Sequence, residues 1–484
     1  MPSPARARQA LSRREILKLG LAGTACGAFG WPLIGCGRHD YGDTARHVVL
    51  ISLDTTRRDH IGCYQRSAVA TPHIDRFAAE GLRCNNHLTP ATTTLASHAS
   101  MFTGKYPQNH GVPRNGFVLH RENPLLAEIL GAAGFRTAGF LGSFALDSRF
   151  GIARGFEHYD QEFDIFFGED GADQNQRRAT AVTDAVDAYL DRARGADRRF
   201  LFVHYFDPHQ PYDPPAEYAA RYVSPSGTPA MAVGNHPVLP FGEHTAVQRQ
   251  MILNYAGEIS YMDAEVGRLF EVLQRRDILD EALVILTSDH GEHLGVAPAG
   301  EAMDHGWTVY EPEARAIFCL RLPGARLAGT LTRTPTSHID ILPTVCRFLG
   351  LTAPEEIDGR ALDPDRLAPD DDDRLLFAEA TKPWEEVETD PRWTNARKPR
   401  CVCQGSYKYI RTAHLDHEEL YDLDADRLEQ TNLLKAGTAQ HRAIAERLRN
   451  ELEAFTNAAH PLPTRFDDSQ SEETRERLRS LGYL

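Results

Sequence analysis

The chain has 484 residues, of which 42% are hydrophobic and 25% are charged. This length and composition allow one large hydrophobic core and a smaller second domain. The formal net charge of -15 makes the chain a poor partner for nucleic acid or other polyanions, so an anionic substrate has to be held by a local site.

Residues 1–36 are predicted to be a targeting segment and are set aside in the interpretation of the fold. Residues 12–18 (SRREILK) resemble a twin-arginine export signal, and the weakly apolar residues 19–34 are too short and too rich in Gly and Ala for a membrane span. Residues 33–36 (LIGC) resemble a lipoprotein cleavage box. This predicts export to the periplasm or cell surface, with membrane contact only through a lipid on Cys36. The alternative is a plain signal peptide or a short anchor helix.

Predicted strands and helices alternate along the chain that follows. Strands are predicted at residues 47–54, 137–141, 199–206 and 283–287, and helices at 75–81, 124–134, 179–196 and 247–277. Three of the strands lead into an acidic residue, namely Asp54, Asp207 or Asp289. This alternation, with polar residues at strand carboxyl ends, predicts an α/β fold with a doubly wound, mostly parallel sheet.

The pattern changes at the Pro- and Asp-rich residues 363–374. Beyond them we predict short strands at 375–380 and 407–411 and a charged helix at about 439–455, which together indicate a smaller α+β domain. The predicted division is therefore a catalytic domain at 45–365 and a C-terminal domain at 366–484. Residues 461–472 are expected to form a surface tail, and residues 473–478 a final helical turn or two.

The segment from Thr92 to Gly104 reads TTTLASHASMFTG. It resembles the nucleophile segment of the sulfatase family of the alkaline phosphatase superfamily, whose usual form is Cys/Ser-x-Pro-Ser-Arg-Ala-Ser-Leu-Leu-Thr-Gly. Alignment of the ASMFTG end places Thr94 on the nucleophile and His98 on the arginine. Further blocks that match this family in order and spacing are residues 48–54, 59–64, 71–78, 207–212, 287–292 and 419–423.

The resemblance implies a divalent metal site made of Asp54, Asp289, His290 and Thr94. The family's calcium site has one more acid, at the position of Thr55 here, so the resemblance favours zinc or manganese, with calcium as the alternative. No formylglycine is expected, because a threonine is not a substrate for the conversion of cysteine or serine. The structural alternative is that the two aspartates cap helices at strand–helix turns.

Three histidines are candidates for catalysis by the same resemblance. His209 falls where the family places a histidine on a substrate oxygen, His305 falls near its leaving-group residue, and His98 replaces the arginine. A lone loop histidine is otherwise a common surface residue. Asp207 and His338 are weaker candidates for a second metal, and Asp207 is equally explained as a cap.

One departure affects the choice of substrate. The family's Gly-Lys-Trp-His block should fall near residues 142–145, which read GSFA and carry no Lys or His. The Lys and His of that block and the arginine at the position of His98 bind the sulfate group in the family. Because this chain has none of them at these positions, the sequence argues against ordinary arylsulfatase activity.

The sequence therefore predicts an exported, metal-dependent hydrolase in which Thr94 attacks phosphorus or sulfur, with phosphoesters favoured. Its substrate would be a small-molecule, glycan or lipid ester. The alternatives are a true sulfatase acting on a glycan or aryl sulfate, a phosphotransferase to glycan or lipid, and an inactive glycan-binding relative.

Overall fold

The computed structural model describes residues 45–481, except 66, 68, 164, 167–173, 194, 196, 223–244, 296–302, 368–372, 383–397, 436 and 467–470. The predicted targeting segment with Cys36 lies outside the described residues. Among the helices that are described, none has the length and apolar character needed to cross a membrane.

The strands are short and are numbered in chain order. They are β1 (His47–Leu53), β2 (Leu82–Cys84), β3 (His87–Leu88), β4 (Arg136–Phe140), β5 (His158–Asp160), β6 (Ile165–Phe166), β7 (Gln174–Gln176), β8 (Arg199–Tyr205), β9 (Ala282–Ser288), β10 (Phe318–Arg321), β11 (Thr330–Thr332), β12 (Thr336–Ser337), β13 (Leu376–Glu379), β14 (Pro399–Gln404), β15 (Tyr407–Thr412) and β16 (His417–Asp422).

The α-helices are numbered in the same way. They are α1 (Pro72–Ala79), α2 (Thr94–Thr103), α3 (Pro107–His110), α4 (Leu126–Ala132), α5 (Ala179–Arg192), α6 (Ala216–Tyr222), α7 (Ala246–Gln274), α8 (Glu311–Ala314), α9 (Ile341–Phe348), α10 (Ala439–Asn457) and α11 (Ser471–Ser480).

Eight strands form the central sheet in the order β11-β2-β10-β9-β1-β8-β4-β5. All neighbours are parallel except β10, which runs antiparallel to both β9 and β2. In β1, Leu53 is paired with Tyr205 on one side and with Ser288 on the other. This register brings the carboxyl ends of β1, β8 and β9 to one edge of the sheet, where α/β proteins place their functional groups.

Helices cover both faces of this sheet, which confirms the predicted doubly wound α/β fold. Side chains of β1 alternate between the two hydrophobic cores: Val48 and Leu50 pack with α2, α4 and α9, whereas Val49 and Ile51 pack with α1, α5 and α7. Because β1 is buried on both faces, its sequence is a continuous apolar run rather than an alternating one.

The last four strands form a separate antiparallel sheet in the order β13-β14-β15-β16. Helix α10 packs on one face, where Leu448 and Leu452 meet Val402 and Tyr409. The other face packs against residues that precede this sheet in the chain, namely Leu88, Val309 and Ala314. Strands β13 and β15 and helix α10 were predicted from the sequence, whereas their partners β14 and β16 were missed.

The segment that follows α10 is only partly the expected surface tail. Residues 461–465 are exposed or half-buried, but Phe466 is buried and its ring packs edge-on against Phe117 at 5.6 Å. Val118 also donates a backbone hydrogen bond to Arg465 (2.9 Å). The final helix begins at Ser471, earlier than predicted, so the prediction of a tail up to residue 472 was too long.

Candidate active site

Two carboxylates and an imidazole meet at the carboxyl edge of the central sheet. Asp54 directly follows β1, and Asp289 and His290 directly follow the neighbouring strand β9. All three side chains are fully buried, and one ligand atom from each lies within 4.8 Å of the others. The structure therefore brings together the three non-threonine residues of the predicted metal site.

Hydrogen bonds occupy one polar atom of Asp289 and of His290 and leave the other polar atom of each side chain without such a partner within the described part of the chain. Asp289 Oδ1 accepts from the backbone amides of Thr55 (3.0 Å) and His290 (2.8 Å), and His290 Nδ1 lies 2.9 Å from the Gly291 carbonyl, to which it donates. The remaining atoms Asp54 Oδ1, Asp289 Oδ2 and His290 Nε2 are buried and have no hydrogen-bond partner among the described residues.

These orphaned atoms fit a cation. With its proton on Nδ1, His290 directs the lone pair of Nε2 toward Asp289 Oδ2, only 3.3 Å away, which is repulsive unless a positive charge lies between them. Burial raises the pKa of Asp54 and of Asp289 well above the usual range, and the nearby charges of Glu292 and Asp54, respectively, add to the increase. Two buried carboxylates beside a neutral imidazole form a donor set that a divalent metal would stabilise.

Thr94 joins this cluster from the first position of α2. Its Oγ1 lies 3.4 Å from Asp54 Oδ2, and the residue is fully buried. The amide of Leu95 donates to Asn115 Oδ1 (2.7 Å), which fixes the amino end of the ten-residue helix. Thr93 Oγ1 and Asn115 Nδ2 are buried without a partner in the described part of the chain. An anion beside Thr94 would meet these donors and the positive end of the helix dipole.

His98 lies one helical turn after Thr94 on α2 and is fully buried. Its Nδ1 is 2.7 Å from the Thr94 carbonyl, to which it donates, and its Nε2 accepts from Ser52 Oγ (2.8 Å). Burial lowers the pKa of His98 well below its ordinary value, so the ring is neutral. Both ring nitrogens are therefore engaged, one with Thr94 and one with Ser52 of β1. This geometry favours a role of His98 in holding Thr94 in place over proton transfer to a substrate.

His204 is a residue of the site that sequence reasoning missed. It lies near the end of β8, where Nε2 is 3.0 Å from Asp54 Oδ2 and Nδ1 is 3.4 Å from the amide of Gly142. Burial lowers the pKa of His204 to about 3, so the neutral ring donates to Asp54 through Nε2. The only local signal was a histidine inside an otherwise apolar buried strand.

His209 and His305 both reach the cluster, as predicted from the resemblance. The ring of His305 lies 4.5 Å from that of His290 and 5.1 Å from that of His209, and His209 also stacks on Phe206 at 4.3 Å. His209 Nδ1 is 2.7 Å from the Gln210 carbonyl. Burial lowers the pKa of both histidines, that of His305 to about 3.

The two residues considered for a second metal do not join the cluster. Asp207 Oδ2 accepts from the amide of Ala179 (2.9 Å) at the start of α5, so it caps that helix. His338 contacts Ser97 Oγ (3.0 Å) and Thr287 Oγ1 (3.3 Å). Asp207 therefore lies where a helix cap is expected, and the described residues do not group it with His338 in a cluster of metal ligands.

Comparison with known proteins identifies the family. The family model described as Sulfatase matches residues 46–351, and the one described as N-sulphoglucosamine sulphohydrolase, C-terminal matches residues 303–458. A relative named multifunctional alkaline phosphatase superfamily protein PehA, from Trinickia caryophylli, is 27% identical over 83% of this chain and 93% of its own. An ulvan-active sulfatase from Formosa agariphila is 25% identical over 86% of this chain and 81% of its own.

Among solved structures, a phosphonate monoester hydrolase from Agrobacterium radiobacter has a TM-score of 0.67 and 22% identity, over 86% of this chain and 96% of its own. At this identity the similarity supports the fold alone. Because the Sulfatase match spans more than half of the sequence, the chain belongs to the sulfatase family of the alkaline phosphatase superfamily and is an ester hydrolase.

Proposed function

We propose that this enzyme hydrolyses phosphate mono- or diesters or phosphonate monoesters, with a divalent metal and Thr94 as the nucleophile. The observation that carries the proposal is the position of the Thr94 hydroxyl, 3.4 Å from Asp54 Oδ2 at the edge of the buried cluster of Asp54, Asp289 and His290. Asp54, Asp289, His290 and Thr94 would hold the metal, with zinc or manganese favoured by the mixed oxygen and nitrogen donors.

Held by these residues, a divalent metal would supply two effects, a lower pKa for the Thr94 hydroxyl and neutralisation of an anionic substrate oxygen. The protein contributes the geometry of the attack. Helix α2 presents Thr94 with its amino end toward the substrate, and Thr93 and Asn115 offer buried donors to the non-bridging oxygens. Thr94 Oγ1 would pass its proton to Asp54 Oδ2, to which it donates, and form a bond to phosphorus while the ester oxygen leaves; water would then hydrolyse the phosphothreonine to free phosphate, and Thr94 would regain its proton.

His305 is placed to give its proton to the leaving alcohol, and His209 lies beside it. Burial lowers the pKa of His305 to about 3, which favours the neutral ring in the absence of substrate. An anionic ester beside the ring would favour the protonated imidazole, because a nearby negative charge stabilises the charged form.

The preference for phosphorus rests on the sequence of residues 142–145 and on the relatives. Residues 142–145 lie next to the site, since the Gly142 amide contacts His204, yet they supply no cation for sulfate. The similarity to an alkaline phosphatase superfamily protein described as multifunctional supports a phosphoester substrate.

A sulfuric ester of a glycan or an aryl alcohol is the second candidate. It is favoured by the relative named ulvan-active sulfatase and by the C-terminal match to a family described as sulphohydrolases. In this case Thr94 would attack sulfur, and the roles of the remaining residues would be the same.

Hydrolysis of 4-nitrophenyl phosphate, a phosphodiester, a phosphonate monoester and 4-nitrophenyl sulfate by the full chain with Zn²⁺ or Mn²⁺ tests the proposal. Thr94→Ala should lower kcat for phosphoesters by roughly 10³-fold or more. Thr103→Ala, at the other end of the same helix, is the control and should keep activity. A dominant sulfate turnover would reject the phosphoester preference, and phosphoester turnover that survives Thr94→Ala would reject the nucleophile.

A further inference from the structure

A second set of charged side chains lies on the Nδ1 side of His305. His305 Nδ1 is 3.4 Å from a carboxylate oxygen of Glu292 and 3.5 Å from Asp304 Oδ1. Asp304 Oδ2 forms an ion pair with Lys382 Nζ at 2.7 Å and accepts from Trp307 Nε1 at 3.1 Å. Glu292, His305 and Lys382 are all buried.

Lys382 reaches this place from a distant part of the chain. It follows β13 of the C-terminal sheet, and the amides of Thr381 (2.9 Å) and Lys382 (2.7 Å) both donate to the Gly306 carbonyl. The Lys382 side chain also packs close to Gly306, where an added Cβ would lie 3.0 Å from Lys382 Cγ. The segment after β13 therefore holds the loop that carries His305 through both backbone and side-chain contacts.

We propose that Glu292 and Lys382 are positioning residues that set the orientation of His305 for protonation of the leaving alcohol. Glu292 accepts from Nδ1, which leaves Nε2 on the other side of the ring as the atom that transfers the proton. Lys382 fixes Asp304, whose Oδ1 accepts from the His305 amide at 2.8 Å, so the C-terminal sheet completes the leaving-group side of the site.

The proton and electron balance of this step is simple. As the phosphorus–oxygen bond breaks, its electron pair goes to the ester oxygen, which takes the proton from His305 Nε2 while Nδ1 keeps its own proton toward Glu292. The inference rests on the proposed role of His305 in the function above. It does not depend on whether the central atom is phosphorus or sulfur.

A metal ion is the competing explanation, because ligand atoms of Glu292, Asp304 and His305 lie within 4.8 Å of one another. The ammonium of Lys382 already balances Asp304 at 2.7 Å and would repel a second cation. The arrangement therefore fits a hydrogen-bonded support for His305 better than a second metal site.

The test is the dependence of kcat/KM on the leaving group. A 4-nitrophenyl ester leaves without a proton, whereas an unsubstituted phenyl ester needs one. Glu292→Gln and Lys382→Met should lower turnover of the phenyl ester by about 10²-fold and that of the 4-nitrophenyl ester by no more than about 3-fold. Lys382→Arg should restore most of the loss.

Lys398→Met is the matched control, because Lys398 is a buried lysine directly before β14 that pairs with Glu379 of β13 (3.3 Å). It should affect both esters equally. If Glu292→Gln is too unstable to purify, Lys382→Met with its arginine rescue carries the test alone.

Equal losses for both leaving groups would overturn the inference and assign a purely structural role. Two metal ions per wild-type chain, falling to one in Glu292→Gln, would overturn it in favour of a metal site. The same leaving-group series can be run with aryl sulfates. A failure of the phosphoester proposal is detected with Thr94→Ala and the substrate panel, so it can be distinguished from a failure of the inference about Glu292 and Lys382.

Discussion

His204 Nε2 lies 3.0 Å from Asp54 Oδ2, and the two residues belong to neighbouring strands of the central sheet. This contact holds one oxygen of the carboxylate, so that Asp54 Oδ1 is left to face Asp289 and His290. A buried partner that orients a ligand in this way normally tunes the affinity for the metal, since it reduces the freedom of the ligand before binding.

We therefore expect His204→Ala to weaken metal binding by about 10- to 100-fold. The affinity for Zn²⁺ can be measured by competition with a chelating dye, together with the metal-dependent increase in Tm. His158→Ala, which changes a half-buried histidine on β5 of the same sheet, serves as the control. Unchanged affinity in His204→Ala would mean that the contact with Asp54 does not support a metal site.

Asp207 provides a prediction about pH. Burial raises its pKa from 3.8 to about 6, so the folded protein holds this proton more tightly than the unfolded chain. The resulting stability is fully present below pH 3.8 and is lost as the pH rises through 6. From this shift, the loss in the free energy of unfolding amounts to about 3 kcal/mol as an order of magnitude.

Asp207→Asn keeps an oxygen to accept from the Ala179 amide and removes the titration. As the pH rises from 4 to 8, the wild type should therefore lose stability that the variant keeps. The free energy of unfolding of the variant minus that of the wild type should increase over this range. Urea unfolding at both pH values checks this, with Asp197→Asn, a highly exposed aspartate, as the control. Parallel behaviour of Asp207→Asn and the wild type would contradict the buried-cap interpretation.

Phe466 should anchor the segment after α10 to the catalytic part of the chain. It is buried against Phe117, and an added Cβ on Gly116 would come within 2.4 Å of its ring. Phe466→Ala should lower the free energy of unfolding by about 3–5 kcal/mol, because a large cavity replaces the ring. Urea denaturation measures the loss, and Leu415→Ala, at an exposed leucine, should have little effect. A loss as small as that of the control would show that the segment is not part of the core.

Export through the N-terminal segment stays a prediction from the sequence, and we propose that it delivers a lipid-anchored protein to the cell surface or periplasm. In a bacterial host with a twin-arginine pathway, a variant with both Arg13→Lys and Arg14→Lys should accumulate in the cytoplasm. Cys36→Ala should be exported without membrane attachment. Cell fractionation checks both, with Arg6→Lys and Arg8→Lys together as the control. Normal export of the first variant would reject the twin-arginine assignment.

The sequence by itself determined most of the elements that build the site. Apolar runs that end in an acid located β1, β8 and β9, and the strands are found within a few residues of the predicted bounds, because burial on both faces leaves a continuous apolar pattern. Parallel strands share one carboxyl edge, so the acids that follow these strands were expected at that edge, whereas the grouping of Asp54, Asp289 and His290 came from the family resemblance. Thr94 was identified as the candidate nucleophile from the ASMFTG residues that follow it, which resemble the family's nucleophile segment.

Tertiary structure alone decided the partners that surround these residues. His204 became a partner of Asp54 through the register of β1 and β8, and nothing in its local pattern distinguishes it from a core histidine. Lys382 reaches Asp304 from 78 positions away in the chain, through the packing of the C-terminal sheet on the loop of Gly306. Periodicity and turn residues encode local structure, whereas contacts of this kind depend on strand register and on how whole sheets pack, which no local pattern specifies.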